Sequence, residues 1–394
     1  MIRALEGIKV IDLCRGYPPA VSTMLMSDFG ADVIKIDPVG FTMFLPESLI
    51  GHEQFSVYSF WDRNKRSIKI NLKSPTGREV FCKLVKKADV LIENSRPGTM
   101  QRLGIGYDIL KETNPRIIYC SVSGYGQDGP YRDVVGHESN YLAISGALSL
   151  IGPKDGPPVI PSNFIADVAG AGLHPYMGIM AALMARYKTG KGQFIDISYA
   201  DCVFSMTGFE LATYLMTGKK RRRGETSLTG GEPCVAVYQT KDREYITMHI
   251  TQQPFWEKFC KAIERIDLIP KQWPKDDQER EELFAILRNL FLTKTRYEWW
   301  EWAKDNGVML APVLYIEESL NDPHFRYRKM VIEKDHPSLG KIFQLGNPLK
   351  LSDTPPDPVG GYSPQPGEHT YAVLKELEYT PQQIEDLKKN GAVE

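Results

Sequence analysis

Apolar residues come in short runs along the first third of the chain, each closed by a turn signal. Residues 8–13 read as a buried strand. Pro18 and Pro19 then open a helix that runs through residues 24–29, and Gly30 ends it. Residues 31–36 form the next strand. Across 67–72, Ile68, Ile70 and Leu72 alternate with Lys69 and Asn71, the period of a half-buried strand. Ser74, Pro75 and Thr76 start a helix, with Thr76 and Glu79 at capping-box spacing. Strands at 88–93 and 117–123 follow, separated by a helix near 107–112. Alternation of strand and helix predicts an α/β fold built on a doubly wound parallel sheet, with helices covering both faces.

The texture changes near Glu225. A strand at 245–250 and helices at 255–263, 277–292 and 295–305 predict a smaller α+β domain ending near Tyr327. The tail returns with a strand at 341–345, a proline-rich crossing at 355–366 and a last helix at 381–390. Trp299, Trp300 and Trp302 lie beside Tyr297 in one of the small-domain helices, where they pack either a core or an acyl group. The basic run 219–223 reads as a solvated loop between helix and second domain, with a phosphate contact as the alternative.

Composition narrows the class. The chain has 394 residues and a net charge of −1, enough length for two domains and no bulk attraction to nucleic acid or anionic membrane. Its six cysteines are scattered, form no CxxC pair and have no zinc-like spacing, so no metal site is expected. The first residues enter a strand directly and lack the features of a signal peptide, and no uninterrupted apolar run approaches the roughly 18 residues of a spanning helix. The expectation is a cytoplasmic protein. The turn after the first strand carries no GxGxxG, which argues against an ordinary dinucleotide site.

The segment with the most chemistry is 165–193, IADVAGAGLHPYMGIMAALMARYKTGKGQ. Asp167 stands at the mouth of an apolar helix, followed by Ala169, Gly170, Ala171 and Gly172, which leave room for close approach to the backbone. Aspartate is a favoured N-cap, and Thr189-Gly190 is an ordinary helix stop, so capping is one reading of Asp167. The other is covalent or acid/base chemistry, with His137 and Glu138 supplied by the polar cluster GHESNY at 136–141.

Longer motifs bear on that choice: LEGIKVIDL (5–13), DFGADVIKID (28–37), DRNKRSIKINLKSPTGREVF (62–81), ADVLIENSRPGTMQRLGIGYDIL (88–110), YCSVSGYGQDGPY (119–131), GHESNYLAISG (136–146), TGKGQFIDIS (189–198) and APVLYIEE (311–318). In order and spacing they resemble the family III CoA-transferases, the superfamily that also holds the α-methylacyl-CoA racemases. The resemblance implies a CoA thioester substrate, no permanently bound cofactor, and Asp167 as catalytic nucleophile, with His137 and Glu138 as further catalytic candidates. It implies a discontinuous large domain, 1–224 and 328–394, with the small domain 225–327 as an insertion, and two subunits interlocked as a dimer. Asn94, Arg96 and Arg102 match CoA-contacting positions, and Ser95 replaces a common aromatic. Arg66 lies in a matching segment, and Lys35 follows the second strand at the edge where open α/β sheets bind ligands.

The leading expectation is transfer of CoA from an acyl-CoA to an organic acid through an acyl-anhydride and thioester at Asp167, with backbone amides near the glycine-rich segments receiving the oxyanion. A 2-methylacyl-CoA racemase using His137 and Asp167 is the second. Racemases of this superfamily support the histidine with a Glu in an LEPxFW-like segment, whereas ITQQPFW at 250–256 places Gln252 there. The glycine-rich loop of many formyl-CoA-type transferases is reduced to Thr229, Gly230, Gly231 and Glu232. A CoA-ester-binding subunit that partners a paralogue is the third reading, opposed by the retained Asp167.

Overall fold

A computed structural model of the chain describes residues 2–41, 60–336 and 340–394. By contact the chain divides into two units, one of Met1–Ser145, Ser162–Met206 and Asp322–Glu394, the other of Gly146–Pro161 and Thr207–Asn321. Segments 146–161 and 207–224, expected in the large domain, fall in the second unit, and 322–327, expected in the small domain, fall in the first.

The first unit is built on β1 (Lys9–Asp12), β2 (Asp32–Asp37), β3 (Arg66–Lys69), β4 (Val90–Glu93), β5 (Ile118–Ser123) and β6 (Phe194–Ser198). They form one sheet in the order β3-β2-β1-β4-β5-β6, every neighbouring pair parallel. Every residue of β4 and β5 is buried, as strands covered on both faces require. The chain works outward from β1 to β3, then returns to lay β4 on the other side of β1. The strand order reverses there, and the carboxyl ends of β1 and β4 open the crevice in which such sheets bind ligands.

The alternation expected at 67–72 is seen at Ile68 and Ile70, which are buried, and at Lys69 and Asn71, which are partly exposed, but Ser67 departs from it. β3 is an edge strand, but the tail covers it: Ser67 O accepts from His369 N, Thr370 Oγ1 accepts from Lys69 N, and Ile70 bridges Val393. Both Ser67 and Ile68 are therefore buried. The helix Pro75–Lys87 starts where its sequence predicts, but its cap is Ser74, whose hydroxyl accepts from Gly77 N, and not Thr76 with Glu79. Pro75 at the first helical position makes Ser74 the last residue with extended backbone.

Beneath the crevice lies a chain of buried charges. Lys65 reaches Asp12 at 3.0 Å and Asp62 at 2.9 Å, and Asp62 also accepts from Lys35 at 2.5 Å. Asp12 additionally accepts from the Thr23 hydroxyl and from Cys14 N, which fixes the start of the turn after β1. Each charge has a partner, as burial demands.

The segment Phe164–Thr189 is, against expectation, long and apolar enough to cross a membrane by length and composition. Asp167 interrupts the run in sequence and so hid it. One side packs against β5, β6 and the helix Ala20–Asp28, and Arg186 is buried in an ion pair with Asp89 at 2.9 Å. Phe164, Met177, Met184 and Tyr187 stay exposed.

The second unit carries an antiparallel sheet of β7 (Val235–Gln239), β8 (Tyr245–His249) and β9 (Leu310–Pro312) with helices Gln253–Ala262, Asp277–Phe291 and Arg296–Asn306. Its core holds Trp256, Phe259, Phe291 and Trp299, with Trp300 and Trp302 packed against it, so the tryptophan stripe serves packing. Trp299 Nε1 donates to Phe291 O at 2.9 Å. Within 219–223, Arg221 pairs with Glu210 and Arg223 donates to Gly156 O, which commits two of the basic groups inside this unit.

Candidate active site

The turns that follow β1, β4 and β5 meet at the carboxyl edge of the sheet around a cavity of about 670 Å³. Its lining includes Arg15, Asn94, Ser95, Arg96, Ser123, Gly124, Arg132, His137, Asn140, Tyr141, Asp167 and Tyr199. Arg15, Asn94, Ser95 and Arg96 also line a second cavity of about 830 Å³, walled by Asp37–Phe41, Asn71, Lys73 and Thr99. The two spaces share a wall of four residues at the switch point of the sheet.

Asp167 is not an N-cap. It lies inside a π-helical stretch, Phe164–Leu173, whose wider turn is marked by the bond from Val168 N to Asn163 O. The stretch gives way to the α-helix His174–Thr189. Such wide turns cost hydrogen-bond geometry and recur at functional sites. The glycines after Asp167 serve the packing of this stretch and do not open it to the cavity. A Cβ on Gly172 would sit 3.2 Å from Pro18 O and from Val21 Cβ, so glycine is what lets the stretch lie against Pro18 and Val21.

Glu138 explains how the wide turn is held. Its carboxylate accepts from Ala166 N at 3.0 Å and from Asp167 N at 2.6 Å. It is itself buried, at the start of the helix Glu138–Ile144. Glu138 thus grips the main chain of the residue that carries the candidate nucleophile. The Asp167 oxygens accept no hydrogen bond among the described residues. Burial pushes the Asp167 carboxyl up to about 6, the Glu138 charge pushes the same way, and nearby His137 opposes both. A carboxylate poised near neutrality and free of internal partners is available for chemistry.

His137 lines the cavity beside Asp167, with its main-chain N–H donating to Asn140 Oδ1 at 3.0 Å. No carboxylate pairs with it among the described residues, and Gln252 belongs to the other unit. Tyr141 forms the back wall. A Cβ on Gly124 or Gly136 would meet the Tyr141 ring at 2.8 or 2.9 Å, and its hydroxyl donates to Gly136 O at 2.5 Å. Both glycines are there to admit that ring.

The CoA candidates separate. Arg96 faces both cavities. Asn94 is used differently from a direct ligand contact: its amide accepts from Arg15 N and donates to Arg15 O, both at 2.8 Å, which ties the turn after β4 to the turn after β1. Arg102 stands outside the cavity lining but next to Arg132, since a Cβ on Gly98 would lie 3.0 Å from Arg102 Nη1 and 3.3 Å from Arg132 Nη2. Lys35 and Arg66 are not brought to the site. Lys35 is spent in the buried pair with Asp62. Arg66 begins β3 at the opposite, amino edge of the sheet, paired with Asp32 and Glu376, because strand direction carries the first residue of a parallel strand away from the crevice.

Sequence reasoning passed over Arg15, Arg132, Ser123 and Tyr199. Arg15 had a usable signal, as the first cation after β1 at the carboxyl edge; the others lie in motifs whose geometry was not visible. Among the described residues Arg15, Arg96 and Arg132 enter no ion pair, so three guanidinium groups face the cavities without internal counter-charge. That arrangement fits an anionic ligand.

Comparison with known proteins agrees with the geometry. Residues 5–370 match the family model for CoA-transferase family III. The chain is 34% identical to the α-methylacyl-CoA racemase of Homo sapiens over 99% of this chain and 98% of that protein. It is 32% identical to a formyl-CoA:oxalate CoA-transferase of Rhodopseudomonas palustris over 100% of this chain and 98% of that one. A CaiB/BaiF family protein from Brucella suis superposes with a TM-score of 0.78 at 27% identity, covering 96% of this chain and 100% of that chain. Relatives of both activities stand at the same distance, so identity alone does not choose between transfer and racemisation. With a family model spanning nearly its whole length and full-length relatives above 30% identity, the chain is an enzyme that belongs to CoA-transferase family III.

Proposed function

We propose that this enzyme moves CoA from an acyl-CoA donor to an organic acid, with Asp167 as the nucleophile. The observation that carries the reading is the state of that carboxylate: it lines the cavity, its oxygens have no internal partner, and Glu138 fixes its main chain. An ionised Asp167 oxygen adds to the thioester carbonyl, the C–S bond breaks, and CoA leaves as thiolate from an acyl-aspartyl anhydride. The thiolate then attacks the Asp167 carbonyl carbon and releases the acyl group as its carboxylate. The acceptor acid reverses these steps on the Asp167–CoA thioester and departs as the new CoA ester. Main chain at Gly16, Gly124 and Gly136 reaches the cavity wall and supplies candidate donors to the oxyanion.

Arg15, Arg96 and Arg132 are assigned to the phosphates of CoA, with Arg102 next to Arg132, and the second cavity to its nucleotide. A second reading, a 2-methylacyl-CoA racemase, has one observation in its favour: His137 lines the same cavity as Asp167, as a two-base proton transfer needs. The absence of a carboxylate behind His137 among the described residues weighs against it. The exposed apolar side chains along Phe164–Thr189 support association with a second copy of the chain. The six free cysteines, five of them buried, fit a reducing, cytoplasmic setting.

The test is purified enzyme incubated with a panel of acyl-CoAs, with and without free acids, in deuterated solvent and followed by mass spectrometry. CoA appearing on the added acid supports transfer. Deuterium entering the α-carbon without acyl exchange establishes racemisation instead.

A further inference from the structure

The second cavity, assigned above to the nucleotide of CoA, has part of its wall in the turns that follow β2 and β3, residues 37–41 and 70–73. Phe41 N donates to Pro38 O at 3.0 Å, which closes the first turn with Gly40 at a φ of 74°, a conformation that suits glycine. The second wall segment leans on residues 391–394. Asn71 N donates to Ala392 O at 2.9 Å, Asn71 Nδ2 donates to Gly391 O at 3.1 Å, and Ile70 bridges Val393.

Glu394 joins the two segments. Its carboxylate accepts from Gly40 N at 2.7 Å and from Lys69 Nζ, at the end of β3, at 2.5 Å. One oxygen therefore holds the turn after β2, and the other is anchored to the strand that leads into the second wall segment. The Lys69 ammonium and the Gly40 N–H keep this carboxyl below the usual carboxylate range, so it is ionised at neutral pH. The Glu394 side chain is about half exposed and stands behind the cavity wall rather than in it. An exposed ion pair of this kind adds little to global stability. Its effect is local. A turn through glycine has many conformations open to it, and a bond to the glycine N–H removes most of them before a ligand arrives.

We propose that Glu394 is a positioning residue for CoA: by accepting from Gly40 N it presets the turn that walls the nucleotide side of the site. The proposal rests on the CoA-ester reading given above.

Three variants of the whole chain test it. Glu394→Ala removes the acceptor. Glu394→Gln keeps an oxygen for the Gly40 N–H and loses the charge. Glu376→Ala is the control, since it breaks another exposed pair, with Arg66, at the opposite edge of the sheet. Affinity for free CoA is measured by calorimetry, and melting temperature without ligand. The expected result is affinity weakened about three- to fivefold in Glu394→Ala, mostly restored in Glu394→Gln and parental in Glu376→Ala, with melting temperatures of the Glu394 variants unchanged. Parental affinity in Glu394→Ala overturns the proposal and leaves the CoA reading standing. Equal weakening in Glu394→Gln overturns it too, because the Lys69 pair and not the Gly40 bond would then carry the effect. Equal weakening in Glu376→Ala, or a lowered melting temperature in Glu394→Ala, also overturns it, since the contact would then be general scaffolding. If the parent binds no CoA, the CoA reading falls and this proposal with it.

Discussion

Glu138→Gln is the substitution that separates a held nucleophile from a merely nearby one. The parent carboxylate accepts two main-chain N–H groups, from Ala166 at 3.0 Å and Asp167 at 2.6 Å. A glutamine has one oxygen for these donors, and its NH₂ faces the second of them. One buried N–H therefore goes unpaired, at a cost of about 1–3 kcal/mol. If that cost appears as loss of the productive Asp167 geometry, kcat falls about 10- to 100-fold. The same change acts on ionisation. Burial is the larger cause of the elevated Asp167 value near 6 and the Glu138 charge the smaller. The nucleophile works ionised, so activity is present above that value and lost as pH falls through it. Removing the Glu138 charge eases ionisation and moves the acid limb of the kcat/KM profile down, by about one pH unit at most, because burial remains. The assay is transfer rate against pH between about 4.5 and 8 for parent and variant. A drop in kcat with the acid limb unmoved or shifted upward would refute the argument that the Glu138 charge acts on Asp167.

Asp167→Asn is expected to reduce transfer by on the order of 10³ or more, and trapping with hydroxylamine or borohydride should intercept an acyl- or CoA-linked Asp167 only in the parent. Its stability should not suffer. The folded-state value is raised, so the stabilising contribution of Asp167 is full below its unfolded value and is lost as pH rises through about 6. At neutral pH a neutral amide relieves that penalty, and calorimetry should show an equal or higher melting temperature. His137→Ala is expected to leave CoA transfer within about tenfold of the parent, whereas a racemase would lose roughly 10²–10⁴. Fast α-carbon deuterium exchange in the parent that vanishes in this variant would establish the racemase reading. Arg96→Ala should raise KM for the acyl-CoA more than it lowers kcat, by about 1.5–3 kcal/mol of binding. Normal CoA affinity by calorimetry would make Arg96 an ordinary surface group.

The alternation of short strands and helices, together with the motifs spread along the chain, determined the α/β class and the parallel sheet and marked Asp167 as a candidate, because local periodicity and turn chemistry act within a few residues. The strands at the centre of the sheet were legible for that reason, as continuous apolar runs bounded by turns. The helix that carries Glu138 was not, since its seven residues, Glu138–Ile144, show too little periodicity to register. Nor was the π-helical turn, which has no sequence signature of its own and persists because Glu138, 28 and 29 residues upstream, takes up its amides.

Which cations line the cavities was decided by tertiary structure alone. Lys35, Arg66, Arg96 and Arg102 read alike in sequence, each a basic residue in a matching segment. Strand direction sent Arg66 to the amino edge, the buried Asp62 claimed Lys35, and the turns after β1 and β5 brought in Arg15 and Arg132 instead. A sequence specifies which charges exist. Whether one is free for a ligand depends on the counter-charge that distant segments bring within a few ångströms, and only the folded chain fixes that.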